Sequence, residues 1–81
     1  MTDVALRPYG KRSGESGVTG FSIQEDSIIV QFRNGDAYLY DGERPGAVHV
    51  ARMMLHARAG RGLATYITQN VGSNYARKVE L

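Results

Sequence analysis

A two-residue turn signal between two alternating runs constrains this chain more than any other feature. The runs 27–33 and 36–40 flank Asn34-Gly35. Asn-Gly is the strongest short hairpin signal, because a type I′ turn needs positive φ at both central residues. A two-residue loop also fixes the register, so that Val30 lies opposite Leu39. The sequence therefore predicts an antiparallel hairpin over 27–40.

This register divides a predicted meander into two faces. A strand over 18–24 pairs with 27–33 through Glu25-Asp26, with Phe21 opposite Val30 and Thr19 opposite Phe32. One face then holds the set expected to be buried: Phe21, Ile23, Ile28, Val30, Phe32, Ala37 and Leu39. The other face holds Ser22, Ile29, Gln31, Arg33, Asp36, Tyr38 and Tyr40.

Two helices are predicted after the meander, over 45–59 and 62–70, because Gly60-Arg61-Gly62 interrupts the helical pattern. Gly72 is expected to close the second helix in a left-handed conformation. The fold class is therefore α+β: a three-stranded antiparallel meander followed by one long and one short helix. The predicted core side of the long helix carries Val48, Val50, Ala51, Met54, Leu55 and Ala57. Its other side carries His49, Arg52, Met53 and His56.

The 81 residues allow one small domain. Residues 1–16 are rich in turn formers and lack apolar periodicity, which predicts a flexible basic arm with Arg7, Lys11 and Arg12. The domain is expected to span 17–72, followed by a short turn or tail over 73–81. No apolar stretch has the length of a membrane helix. We therefore expect a soluble cytoplasmic protein, a monomer or weak dimer, with no membrane partner.

Residue types that carry chemistry are scarce. The chain has no cysteine and two histidines, His49 and His56, on one predicted helix face with no carboxylate beside them. Asp41 and Glu43 flank Gly42 and are typical of a turn. The sequence therefore predicts neither an enzyme nor a cofactor. Gly60-Arg61-Gly62 fits a turn between helices better than an anion site at a helix start.

The predicted outer sheet face is the strongest functional candidate. It combines Tyr38 and Tyr40 with Arg33 and Gln31, and single-stranded RNA binders stack unpaired bases on such rings while cations hold phosphates. Arg61 and the arm residues Lys11 and Arg12 would extend the positive field. The alternative is that the C-terminal segment covers both tyrosines; Ile29 on the same face favours covering, because an exposed patch of this size is unusual.

The same residues carry a family resemblance. Phe32-Arg33-Asn34-Gly35, then Tyr38-Leu39-Tyr40, then Gly42 and Pro45 resemble the KTSC domain, a short domain named for its occurrence at the C-terminus of some lysyl-tRNA synthetases and found alone in small bacterial proteins. The resemblance covers about residues 18–70 and rests on the order of the motifs. The turn after Tyr40 is one residue longer, and Arg58 replaces a small residue. The resemblance implies RNA binding only through the attachment to a synthetase.

Two functions follow from the sequence. The first is a non-enzymatic module that binds RNA or single-stranded nucleic acid through the Tyr/Arg sheet face. The second is a protein-interaction or self-association module, in which an edge strand or the face with Ile29, Tyr38 and Tyr40 pairs with another chain.

Overall fold

A five-stranded antiparallel sheet, with its strands in chain order, organises the molecule. The structure is a computed structural model and describes residues 6–9 and 17–80. The α+β class is confirmed, while the three-stranded meander is extended by a short strand on each edge. The five strands are β1 (Arg7–Pro8), β2 (Val18–Ile23), β3 (Ile28–Phe32), β4 (Ala37–Tyr40) and β5 (Arg77–Val79).

The two edge strands come from the predicted arm and tail. β1 has two residues and β5 has three, and strands this short leave no alternation to read. Tyr9, directly after β1, is only 4% exposed, and its amide donates to the carbonyl of Thr19. The predicted arm thus contributes an edge strand and a core residue. Its other cations, Lys11 and Arg12, lie outside the described residues.

The β2–β3 pairing largely matches the prediction. Ile23 lies opposite Ile28 and Phe21 opposite Val30, because both pairs put apolar side chains on the buried face. The predicted Thr19–Phe32 pair is wrong, since a β-bulge places Val18 opposite Phe32 instead. A bulge shifts the register by one residue on one strand only.

The β3–β4 loop has three residues, not two. The amide of Gly35 donates to the carbonyl of Phe32 at 2.9 Å, and the amide of Phe32 donates to the carbonyl of Asp36 at 2.8 Å. Gly35 has φ 95°, and the Asn34 side-chain oxygen accepts from the Asp36 amide. This geometry is a turn followed by a glycine bulge, the usual three-residue alternative to a type I′ hairpin.

The extra loop residue moves the register by one position. Tyr38 lies opposite Val30, and Tyr40 opposite Ile28. A one-residue shift turns every side chain of a strand to the other face, so the predicted faces are wrong for β4. Both tyrosines point towards the helices, whereas Ala37 and Leu39 point away.

Helix α1 (Ala47–Ala59) crosses the sheet and begins two residues later than predicted. Gly60 ends it with φ 77°, while the amides of Gly60 and Arg61 donate to the carbonyls of Ala57 and His56. This is the double hydrogen bond of a glycine C-cap. The helix end is therefore sharply defined, in agreement with the predicted break.

The orientation of α1 differs from the prediction. Its buried residues are Val50, Met53 and Ala57, whereas Val48 and Leu55 are exposed. Only four of the thirteen side chains in α1 are polar, so the apolar residues form no single stripe and the sequence pattern allows more than one orientation. In the observed orientation Arg58 lies in solvent rather than in the apolar arc.

The second helical segment spans the predicted 62–70 region. It consists of α2 (Leu63–Tyr66) and a π-helical turn, Ile67–Val71. Its first amide, that of Leu63, donates to the Tyr9 hydroxyl at 2.9 Å, which joins the helix start to the edge strand. Gly72 follows with φ 59° and ψ −130°, a positive φ outside the predicted left-handed helical region.

The main core lies between the sheet and the two helical segments. Tyr40, Ile28, Met53 and Leu63 are almost fully buried there. A smaller cluster on the other sheet face contains Ile29, Ala37 and Val79, with Leu6 and Leu39 packed against it. Within the described residues, no helix has the length and apolar character needed to cross a membrane.

Candidate functional site

The tyrosine pair predicted to face outward lies on the helix side of the sheet. Tyr40 is 1% exposed and belongs to the main core, while Tyr38 is half-buried at the margin of that core. The predicted outward-facing Tyr/Arg platform is therefore wrong, because the β3–β4 register differs by one residue from a two-residue hairpin. Ile29 lies on the opposite face from both tyrosines.

An aromatic cluster forms around Tyr38. Its ring stacks on that of Tyr75 with centroids 4.2 Å apart, and it lies 5.9 Å from the ring of Phe32. Tyr40 meets Tyr75 edge to face at 6.2 Å. Ring pairs at these separations add to the stability that burial provides. Tyr75 belongs to the C-terminal segment and contacts both rings, so this segment does lie against both tyrosines, as the predicted alternative has it, but on the helix side of the sheet.

A groove of about 450 Å³ opens beside this cluster; we call it the aromatic groove. One wall is aromatic, and the other comes from the π-helical turn and the segment after it. The described residues that line it include no carboxylate. They are Phe32, Asn34, Tyr38, Tyr40, Ile67, Thr68, Gly72, Ser73 and Tyr75. The groove thus offers ring surface together with neutral polar groups, which is typical of small-molecule and base sites.

Two cations lie near the groove. Arg33 is exposed in the β3–β4 loop beside Asn34. Lys78 lies directly across from Tyr38 on β5, and its Nζ is 3.4 Å from Asp36 Oδ1. Hydrogen bonding to Asp36 and its negative charge raise the pKa of Lys78, so this side chain stays charged. Arg33 thus lies between two residues that line the groove, Phe32 and Asn34, without being among the described lining residues itself. Lys78 is a neighbour of Tyr38 that the sequence did not indicate.

The other predicted site residues lie elsewhere. Gln31 is on the opposite sheet face with Ala37, and its side-chain amide donates to the Gly35 carbonyl at 3.3 Å. Arg61 follows α1 at the start of the second helical segment, whereas the groove lies at the end of that segment. Lys11 and Arg12 are outside the described residues. The structure thus places two of the seven predicted site residues, Tyr38 and Tyr40, in the groove, and a third, Arg33, in the loop next to it.

Tyr40 forms the floor of the groove rather than an accessible ring. Burial raises the pKa of its hydroxyl, and the neighbouring Tyr38 and Tyr75 hydroxyls add to the effect. Tyr40 therefore remains protonated throughout the physiological range. Its role in the described structure is to support Tyr38 and Tyr75, which are only half-buried.

The two histidines pack against the second helical segment. His49 Nδ1 lies 2.6 Å from the Tyr66 hydroxyl, and the His56 ring is 5.3 Å from the Tyr66 ring. Gly62 has φ 84°, and a Cβ there would also lie 2.8 Å from His56 Nδ1; the positive φ and the contact together explain the second glycine of Gly60-Arg61-Gly62. The described residues contain no group of three metal-ligating side chains. Both histidines therefore help to join α1 to α2.

The distribution of acidic residues along the chain is a sequence signal that the hydrophobic periodicity does not contain. No acidic residue occurs between Glu43 and Glu80, and this interval includes both helical segments. The exposed side of α1 accordingly carries Arg52 and Arg58 beside Val48 and Leu55, which are 69% and 64% exposed. The acid at Asp41 is committed to the turn, since its Oδ1 accepts from two backbone amides, as predicted.

Comparisons with known proteins provide no relative. No protein-family model matches the chain, and neither the curated proteins nor the solved structures contain a significant match. The resemblance to the KTSC domain therefore stays a prediction.

Proposed function

We propose that this chain is a non-enzymatic module that binds RNA or another single-stranded nucleic acid weakly through the aromatic groove. The observation that supports the proposal is the Tyr38–Tyr75 stack beside an open groove whose described lining residues carry no negative charge. Stacking on an aromatic ring contributes roughly 1–3 kcal/mol per base. One base in the groove therefore accounts for weak binding.

In this binding mode the aromatic residues of the groove contact the face of a base, and its polar residues contact the edge of the base. A base would stack against the exposed parts of Tyr38, Tyr75 or Phe32, and Tyr40 would support that wall from below. The hydroxyls of Thr68 and Ser73 are neutral polar groups in reach of a base edge, whereas the Asn34 amide is already bonded to Asp36. Such groups both donate and accept hydrogen bonds, which suits several bases rather than one.

The backbone of the nucleic acid would be held by charge. Arg33 and Lys78 are exposed near the groove, although Lys78 already pairs with Asp36 at 3.4 Å. With two phosphate contacts, the logarithm of the binding constant should fall with the logarithm of salt concentration at a slope of about −1.4. Gln31 and Arg61 take no part in this binding mode, because they lie away from the groove.

The test is a titration of fluorescently labelled single-stranded RNA at low and at physiological salt. Tyr38→Leu and Tyr75→Leu should each weaken binding by about 1–3 kcal/mol. Tyr66→Leu is the matched control, because Tyr66 is also half-buried but contacts His49 and His56 instead of the groove. Equal affinities for all three variants, or no binding by the wild type at low salt, would exclude the aromatic groove.

The second candidate function, protein interaction, is favoured by the outer side of α1. Val48 and Leu55 are the large hydrophobic residues that stand out as exposed in the described chain, and Arg52 lies beside them with no acid on the helix. Such a surface suits an amphipathic helix with acidic flanks. Val48→Ser with Leu55→Ser should abolish binding to such a partner while RNA binding persists; a second copy of this chain would appear as a dimer in a mass measurement.

A further inference from the structure

Two arginines from distant parts of the sequence line one cleft at the β1 edge of the sheet. Arg7 lies on β1, and Arg58 lies in the last turn of α1. Two openings of about 430 and 550 Å³ share both arginines together with Phe21. We call this region the arginine cleft. It is distinct from the aromatic groove, which lies beside β4 and β5 at the opposite edge of the sheet.

The backbone holds both arginines in place. Arg7 lies opposite Phe21 in the β1–β2 pair, so its side chain leaves the sheet on the helix side. Tyr9 follows β1 directly, and its hydroxyl accepts a hydrogen bond from the Leu63 amide at 2.9 Å, which ties this edge strand to the second helical segment. The glycine cap at Gly60 fixes the last turn of α1. The convergence of the two side chains is therefore built into the fold.

The cleft carries positive charge without compensation among the described residues. Its lining residues include no carboxylate, and neither Arg7 nor Arg58 forms an ion pair within residues 6–9 and 17–80. Two guanidinium groups facing one opening repel each other unless an anion lies between them. The C-terminus of α1 carries a partial negative charge, which the two guanidinium groups must outweigh for an anion to bind. The carbonyls of His56 and Ala57 accept hydrogen bonds from the amides of Gly60 and Arg61, which reduces the number of free carbonyls there.

We propose that the arginine cleft binds the phosphate group of a phosphorylated ligand. Guanidinium groups bind phosphate through two parallel hydrogen bonds, and two forks from opposite walls complement one phosphate. Phosphomonoesters of small molecules and phosphodiesters of a nucleic-acid backbone share this chemistry. The proposal is independent of the proposed function, because it uses different residues at a different edge of the sheet.

The test follows backbone amide shifts in nuclear magnetic resonance spectra of the whole chain. Sodium phosphate should produce saturating shifts at Arg7, Ala59 and Gly60, whereas sodium chloride at matched ionic strength should not. Arg7→Ala and Arg58→Ala should each weaken phosphate binding at least tenfold. Arg52→Ala is the matched control, since it removes the same charge from the exposed side of the same helix.

Further arms separate the two sources of phosphate. Adenosine monophosphate compared with adenosine tests a phosphomonoester, and an oligonucleotide without terminal phosphates tests phosphodiesters. Saturation at the cleft by either probe, lost in both cleft variants, supports the proposal and identifies the source. Shifts that fail to saturate, that follow ionic strength alone, or that Arg52→Ala reduces as much as Arg58→Ala would overturn it. The wild-type shift map decides the location even if one variant fails to fold.

Discussion

The two hairpins of the sheet look alike in the sequence but differ in how far the sequence determines them. In the β2–β3 hairpin, Ile23 and Ile28 lie opposite each other, as the apolar pattern predicts. In the β3–β4 hairpin, the stronger turn signal, Asn34-Gly35, predicts the wrong register. A buried apolar pattern on both strands fixes the first pairing. The second has apolar residues on both faces of β4, so its pattern is compatible with two registers.

Asn-Gly is compatible with two turns that differ by one residue. In a type I′ turn the pair forms the whole loop, whereas in the observed loop Gly35 is the bulge residue and Arg33 is included. The sequence of β4, Ala-Tyr-Leu-Tyr, puts the smaller side chains of Ala37 and Leu39 on one face and the larger side chains of Tyr38 and Tyr40 on the other. The observed register puts both tyrosines on the helix side, with Tyr40 fully and Tyr38 partly buried. Their larger side chains can remove more apolar surface from water than those of Ala37 and Leu39.

The largest expected effect comes from the residue that the register moves into the core. Tyr40→Ala should lower the free energy of unfolding by about 3–5 kcal/mol, because it removes a fully buried aromatic side chain. Leu39→Ala, on the half-buried opposite face, should lower it by less than about 2 kcal/mol. Urea unfolding followed by circular dichroism measures both.

The order of these two effects decides the register. A larger loss for Leu39→Ala than for Tyr40→Ala would support the two-residue loop and contradict the observed pairing. Tyr40→Leu is a milder variant for the case in which Tyr40→Ala does not fold, and its loss should still exceed that of Leu39→Ala. The aromatic groove depends on the same result, since Tyr40 supports its wall.

A smaller effect on stability distinguishes the β3–β4 turn from the β2–β3 turn. Gly35→Ala should destabilise the protein by about 1–2 kcal/mol, because Gly35 has φ 95° and a side chain there is strained even though the space around it is open. Asp26→Ala, at an exposed position in the β2–β3 turn without positive φ, should change the stability by less than about 0.5 kcal/mol. Equal effects in the two turns would contradict the positive φ at Gly35.

The hairpins also show which parts of this fold can be predicted from sequence. Local patterns predict the central strands, the end of α1 at Gly60 and a second helical segment, and the structure agrees. The orientation of α1 about its own axis does not follow from the sequence, because its few polar residues allow either Val48 or Val50 to be buried. The edge strands are too short to carry a period.

The candidate site was only partly predictable for the same reason. Tyr38 and Arg33 are near the groove, but the face on which Tyr38 lies depends on one residue of register. Tyr75 has no periodic neighbour and reaches Tyr38 only because β5 pairs with β4. Arg7 and Arg58 meet through tertiary structure, and the absence of acidic residues between Glu43 and Glu80 was the one sequence signal that pointed to a cationic helical side.

The smallest expected effect is a pH dependence that an inward-facing Tyr40 imposes. Burial raises the pKa of Tyr40 above the value of about 10 that the unfolded chain has. Its contribution to stability is complete below that pH and is lost as the pH rises towards the native pKa, because the unfolded state ionises first. Between pH 10 and pH 11 this group should lower the free energy of unfolding by about 1 kcal/mol.

The comparison with Tyr40→Phe isolates this contribution, because the substitution removes one hydroxyl and leaves every other titratable group of the chain in place. Urea unfolding at pH 9, 10 and 11 should show the wild type losing more stability than Tyr40→Phe. The same slope in both proteins would mean that the Tyr40 hydroxyl is in water, as the two-residue hairpin requires. A steeper slope for the wild type would place that hydroxyl beneath the helices and so confirm, by a route that leaves the fold intact, the register on which the aromatic groove depends.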